Sequence, residues 1–435
     1  MTLDSNKEDL RGYTWHMKTR CWVFLLFSVA AGAADWPQWR GPGRNGVSPE
    51  TGLLKQWPPE GPKLLWQRKE VGDGYGAPAV AGNRIYLVSN QGLDNEFVQA
   101  LSVQDGKQLW SARLGKVGNP DQKPSYPMAR STPTLDGDLL FALSSDGGLA
   151  CLETATGKVR WQKSVRSEFG GIPGTWAYAE SPLVDGDVLV VTPGGAPATL
   201  VALNKKTGAV LWKSAIPGGD PAGYASALAV EEGGRKQYVQ FTAKGVVGVD
   251  AKTGQFLWRY DQTSKGPANM PTPVVRDGYV YSSAGSVGGG LVRLKAVPDG
   301  VAAEPVYLVR DLPSTNGGSV LVGDILYGTN AKGLVAAEFL KGEVLWQDAS
   351  IGSGSTFYAD GNLYVHGHNG DVALVEATRE AFRQKGRFTP PGQPKNRSVQ
   401  GEKAWAYPVV ANGRLYIRDL GTLWCYDVQD PKAAR

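Results

Sequence analysis

Seven side chains in this sequence have the chemistry of a binding site. Glu180, Asn269 and Asn316 carry oxygens, Arg130 carries a fixed positive charge, and Trp176, Tyr178 and Trp405 carry broad ring faces. Each follows a tryptophan-containing or aromatic run and precedes the next short apolar run, as do Tyr75, Tyr224 and Ser353. Carboxylate and amide oxygens suit a hard cation, a guanidinium suits a carboxylate, and rings with a few polar groups suit a ligand pocket. The plainer role for the same residues is to seal a channel and cap strand ends. His366-Gly367-His368 places two imidazoles on one face of a strand, a pair that could hold a metal. No third ligand stands nearby, and the neighbouring Asn369-Gly370 turn favours a polar strand end. The sequence shows no nucleophile–base pair and no phosphate loop, and Gly288-Gly289-Gly290 reads as a turn.

The elements that must position these residues repeat along the chain. A short strand, a glycine-containing turn and a second strand first appear at Ala77–Val88. They return at Thr132, Ser181, Ser226, Thr272, Gly318, Ser355 and Tyr407, which is a hairpin pattern. A second hairpin follows each, with Gly-x-x-x-Trp across its turn: Gly106/Trp110, Gly157/Trp161, Gly208/Trp212, Gly254/Trp258 and Gly342/Trp346. A polar residue (Ser102, Glu153, Asn204, Asp250, Glu338) stands four positions before each glycine. The fifth and seventh copies carry Tyr307 and Phe382 in place of tryptophan. Four strands at intervals of about 36 to 51 residues match a β-propeller blade. The last copy, Tyr407 to Asp427, has three strands, and Lys63–Gln67 is a tryptophan strand with none before it. Together they make one blade. The expected fold is therefore all-β: an eight-bladed β-propeller of four-stranded antiparallel blades over residues 63–430, closed by N- and C-terminal strands, with residues 35–62 as an N-terminal extension. The loops between blades then meet at one mouth of the central channel. Cys151 and Cys425 fall at equivalent third-strand positions, where other copies have Ala100, Ala202 or Gly248, and read as small buried residues.

The repeated pattern, clearest in Ala202 to Trp212 and Gly248 to Trp258, resembles the tryptophan-docking motif of the pyrroloquinoline quinone (PQQ)-like, quinoprotein-type propellers. Trp36-Pro37-Gln38-Trp39-Arg40-Gly41-Pro42 resembles the mature start of exported bacterial members. Quinone-dependent alcohol dehydrogenases share this repeat, and so does the non-enzymatic outer-membrane β-barrel assembly lipoprotein. The enzymatic branch implies PQQ and calcium at the channel mouth. Glu180 and Asn269 would then be metal ligands, and Arg130 would face quinone carboxylates. The third ligand slot, an aspartate that also serves as base in the enzymes, holds Asn316, with Asp311 a few residues earlier. An amide cannot act as that base, and the adjacent cysteine pair and Cys-x-x-Cys-His haem site of the dehydrogenases are missing. The resemblance thus implies a ligand- or protein-binding scaffold with no obligatory cofactor; a PQQ-dependent dehydrogenase of an alcohol or polyol is the alternative.

Composition agrees with this class. Lys and Arg number 46 against 41 Asp and Glu, and the net charge of +5 is too diffuse for a nucleic-acid surface. Three cysteines cannot build a disulfide scaffold. Residues 1–34 read as a leader whose part from Met17 to Ala34, a basic start, a short apolar run and small residues, is a secretory signal. Cleavage near Ala34 leaves Asp35 first. A periplasmic or secreted monomer is expected, without a membrane span, engaging a small molecule or a protein at the channel mouth. The proline-rich, basic stretch Thr389 to Lys403 reads as an exposed loop or a lid.

Overall fold

The computed structural model describes Met1 and residues 34–122, 126–232, 234–264, 268–298, 300–394 and 403–433. The leader, and most of the proline-rich stretch, lie outside these residues.

Strand composition dictates the radial order of each sheet. Leu139–Leu143 is buried at every position, whereas Val159–Ser164 of the same sheet is mostly exposed or half-buried. A strand covered on both faces by neighbouring sheets must be apolar throughout, while an outermost strand meets solvent. Eight such sheets form the eight-bladed propeller, each strand antiparallel to the next. Blade 1 consists of Ala79–Ala81, Arg84–Gln91, Asn95–Ser102 and Gln108–Gly115. Blades 2 to 7 occupy residues 134–164, 183–214, 228–260, 274–309, 319–348 and 354–388. Blade 8 takes Val409–Ala411, Arg414–Asp419 and Thr422–Asp427 from the C-terminus and Lys63–Arg68 from the N-terminus as its outer strand, with Trp66 opposite Cys425. The terminal strands close the ring as the repeat count predicts. Among the described residues the one α-helix is Val165–Phe169, in the connection between blades 2 and 3.

The outer-strand aromatics join blade to blade. The rings of Trp66, Trp110, Trp161 and Trp212 cover Gly106, Gly157, Gly208 and Gly254 of the next blade, where a Cβ would meet the indole at 3.0 Å or less. Their indole N–H groups donate to Val103, Thr154, Lys205 and Ala251 carbonyls at 3.0–3.1 Å. These glycines sit at φ +67 to +74°, so the turn needs glycine for its backbone as well as for the ring. Tyr307 takes the same place over Gly342 and donates to Phe339 O at 2.6 Å. Three positions differ. Trp346 donates to Thr378 O at 2.8 Å and packs near Phe382, with no glycine beneath it among the described residues. Trp258 covers Gly248 of its own sheet and donates to Gln237 Oε1 at 2.6 Å, because blade 5 offers no Thr-Gly turn to receive it. In blade 7 the position equivalent to the tryptophans is Gly386, paired with Leu374, rather than Phe382. A Cβ there would strike Trp57, whose backbone N–H donates to Lys385 O. The N-terminal extension thus supplies the ring that this blade lacks.

The extension also fills the channel. Asp35 accepts from Gly82 N at the turn of blade 1, and Trp36 bridges to Val80. The chain then rises until Trp39 donates to Thr272 at 3.0 Å. Arg40 reaches the Ser319 carbonyl of blade 6. Arg44 binds the Ser181 and Pro182 carbonyls of blade 3 at 2.8 and 3.1 Å. Both arginines are buried. The chain descends as Val47–Ser48, a parallel fifth strand on blade 7, and Glu50 receives the Asn412 and Gly413 amides at the turn of blade 8. Polar backbone on the inner rims would otherwise line an empty bore; the arginines satisfy it.

Cys151 and Cys425 are both buried and unpaired, opposite Trp161 and Trp66. Burial pushes both thiols up to about 12, so neither is a ready nucleophile. Blade 1 separates their blades. Thiol titration of denatured, unreduced protein spanning residues 35–435 should give two reactive groups per chain; a bridge between them found by mass spectrometry would contradict this blade order.

Candidate functional site

Seven of the eight inter-blade connections converge on a cup of about 300 Å³ at the channel mouth. Its lining is Tyr75, then Tyr126 and Arg130, Trp176 and Ala179, Tyr224, Met270, Asn316, and finally Trp405 and Tyr407. Trp39, at the tip of the N-terminal plug, closes it from below. Trp405 packs against Tyr75 and Tyr126 with centroids 4.7 and 5.0 Å apart, Trp176 against Tyr224 at 5.6 Å, and Trp39 edge-on to Tyr407 at 4.6 Å. Interlocked rings hold one another's orientation, so the cup is formed in advance of any ligand.

Among the described residues that line the cup, Arg130 is the one charged side chain. The Arg130 guanidinium lies 5.3 Å from the centre of the Tyr75 ring and donates to the Tyr126 carbonyl, while its Nε has no partner. Burial lowers its pKa, and Glu96 opposes that shift. No carboxylate lies within 4 Å of it among the described residues; Glu96 is turned to Ser145, whose N–H and hydroxyl both donate to it.

Of the residues singled out in the sequence, Arg130, Trp176, Asn316 and Trp405 line the cup, with Tyr75 and Tyr224. Tyr178, Glu180 and Asn269 stand behind the lining. Tyr178 donates to Pro193 O at 2.9 Å. Glu180 accepts from Thr192 N at 2.7 Å and from Thr192 Oγ1 and Gln240 Nε2 at 2.9 and 3.2 Å. Asn269 donates to the Thr242 and Ala243 carbonyls and Ser264 Oγ. Ser353 donates to Asn330 O. His368 Nε2 lies 3.1 Å from Asn316 Oδ1, and burial brings that imidazole down to about 4. The repeat places none of Trp39, Tyr126, Ala179, Met270 and Tyr407 at the mouth, yet all five line it. Trp39 had a signal in the aromatic Trp36-Pro37-Gln38-Trp39 run, which no strand of the repeat requires.

The oxygen donors do not suit a calcium-held quinone. Calcium takes six to eight oxygens. Both Glu180 oxygens already accept hydrogen bonds within the wall, and the described residues of the cup lining include no carboxylate.

Burial raises Glu96 and Glu180 to about 7. Between pH 4.5 and 7 each keeps its proton in the folded chain and loses it in the unfolded one, so stability falls as pH rises. His368 opposes them below its ordinary 6.5, because only the unfolded chain then takes its proton. Two groups outweigh one, and the melting temperature should be higher at pH 5.5 than at pH 8. Glu180→Gln should leave the melting temperature nearly flat from pH 5 to 6.5; an unchanged slope would place the Glu180 proton elsewhere.

The family model described as outer membrane protein assembly factor BamB matches residues 43–123 and 94–348. The outer membrane protein assembly factor BamB of Yersinia pestis is 25% identical over 400 residues, spanning 84% of this chain and 88% of that protein. The Xanthomonas campestris pv. campestris protein of the same name is 29% identical over 139 residues, 32% of this chain and 30% of its own. Among solved structures, BamB from Moraxella catarrhalis aligns with a TM-score of 0.58 at 18% identity, covering 84% of this chain and 97% of that one. Quinohemoprotein alcohol dehydrogenase ADHIIG from Pseudomonas putida HK5 aligns with a TM-score of 0.61 at 12% identity, covering 91% and 80%. At these identities the two structures speak for the fold alone. The family match extends over well more than half of the sequence, and on that ground the chain belongs to the family of outer membrane protein assembly factor BamB.

Proposed function

We propose that the protein is an exported, monomeric propeller that serves as a protein-binding scaffold, working on the periplasmic side of the outer membrane in the assembly of outer membrane proteins. The secretory signal read in residues 17–34 would deliver it there. Among the described residues no helix is long and apolar enough to cross a membrane. The observation that carries the reading is the pairing of BamB family membership with an aromatic cup whose described lining includes no carboxylate. Arg130, Trp176, Asn316 and Trp405 form the contact surface, and Tyr178, Glu180 and Asn269 shape the wall behind it. The tryptophan-docked blades keep the mouth in one geometry, so a partner meets a preformed surface.

A photo-crosslinking residue at Tyr126, on the cup, should capture outer membrane polypeptides in cells. The same residue at Asp324, exposed on a turn between the first two strands of blade 6 and so on the opposite side of the ring, should not. Equal capture at both positions, or none at either, would refute a scaffold that works through the mouth. Titration with PQQ and calcium should give no stoichiometric complex. Calcium-dependent quinone binding lost in Glu180→Gln would replace the scaffold with a dehydrogenase.

A further inference from the structure

The cup is blind and apolar, and its described lining carries a single cation whose hydrogen-bonding capacity is only partly used. Trp39 closes the floor, so an extended chain cannot thread through it. A space of about 300 Å³ is at the small end of ligand pockets, the scale of a chain end rather than of a strand. Resting on the protein-binding reading above, we infer that the cup receives the C-terminal residue of a polypeptide, its α-carboxylate on Arg130 and a large aromatic or aliphatic side chain among Trp39, Trp176 and Trp405.

Arg130 sets the sign of the ligand. One of its terminal nitrogens is held by the Tyr126 carbonyl, and its buried Nε has no hydrogen-bond partner among the described residues. A guanidinium left short of partners in an apolar site is costly, and an arriving carboxylate gains charge-assisted hydrogen bonds. A lysine side chain or an N-terminal ammonium would meet like charge. An internal Asp or Glu would bring a carboxylate but would also force two flanking backbone strands into a blind site. Only a C-terminal residue offers a carboxylate and an apolar side chain from the same Cα with one chain leaving the cup. The ring of Tyr75, Tyr126, Tyr224 and Trp405 supplies flat apolar contact at several angles, suited to a residue such as Phe, Tyr, Trp or Leu.

The test uses the mature protein and decapeptides of one sequence, followed by tryptophan fluorescence and calorimetry. A peptide ending in Phe with a free carboxylate should bind at least about tenfold more tightly than its C-terminal amide. Exchange of that Phe for Gly should weaken it by a similar factor. Arg130→Gln should bring acid and amide to equal affinity, and Arg130→Lys should restore part of the gap. If neither arginine variant folds, the acid–amide comparison on the unmodified protein decides alone. Equal binding of acid and amide, or binding of neither, overturns the inference. Binding of N-acetylphenylalanine or PQQ without the peptide acid also overturns it, and makes the cup a small-molecule site. Should crosslinking from Tyr126 still capture outer membrane polypeptides by internal segments, the scaffold stands and the C-terminal specificity falls.

Discussion

Removal of residues 35–70 should abolish the folded ring. The deletion takes the outer strand of blade 8 and with it the Trp66 ring over Gly106. It also empties the channel, leaving the Ser181, Pro182 and Ser319 carbonyls without the Arg40 and Arg44 donors. Trp57, which covers Gly386, goes as well. Three buried anchors, Trp36, Leu53 and Trp57, and the partly buried Trp66 leave the core around the closing blade. Blade 8 then presents an unpaired edge, a template for pairing with other chains. Size-exclusion chromatography should find aggregates, and thermal melting should find no cooperative transition at the original temperature. A monomer that melts as the intact protein does would show that the ring does not depend on its N-terminus.

Trp258→Ala should cost about 3–5 kcal/mol, the range for truncating a buried large ring. Trp212→Ala should fall at or below the lower end, because its ring is only half-buried between blades. The two should also differ in their couplings. Trp258 lies over its own sheet with its N–H on Gln237, so a double-mutant cycle with Gln237→Leu should give a large interaction energy. Trp212 should couple to Gly254 of blade 4. Denaturant unfolding measures both. Losses under about 1 kcal/mol at both sites would mean that neither ring is packed as described.

The repeat made the ring legible because blade physics repeats: the glycine turn, the ring above it, and the polar residue that caps the turn recur in register. Asp250 and Asn204 do accept the turn amides two and three residues on. The Phe382 assignment failed because spacing cannot reveal a ring supplied from outside the repeat, and Trp57 comes from a segment that has no period. The plug was hidden for the same reason. At the mouth the choice between neighbours was the difficulty. Ala179 and Met270 face the cup, whereas the adjacent Glu180 and Asn269 turn into the wall. In extended backbone successive side chains point oppositely, so a loop located to within one residue leaves the direction of its polar group undetermined.

The N-terminal segment has a consequence for how the chain is made. A polypeptide made from its N-terminus delivers first the residues whose partners come last: Leu53 bridges to Gln429, Trp66 faces Cys425, and Glu50 waits for Asn412 and Gly413. These residues must remain unsettled, with several tryptophans uncovered, until nearly the whole chain has been made. Contacts of such long sequence separation are slow to form and leave the emerging chain open to aggregation. The same arrangement slows the reverse process, since opening the ring requires the outer strand of blade 8 and the channel filling to leave together. A slow, late final step in refolding, paired with very slow unfolding, is the kinetic signature that this topology carries.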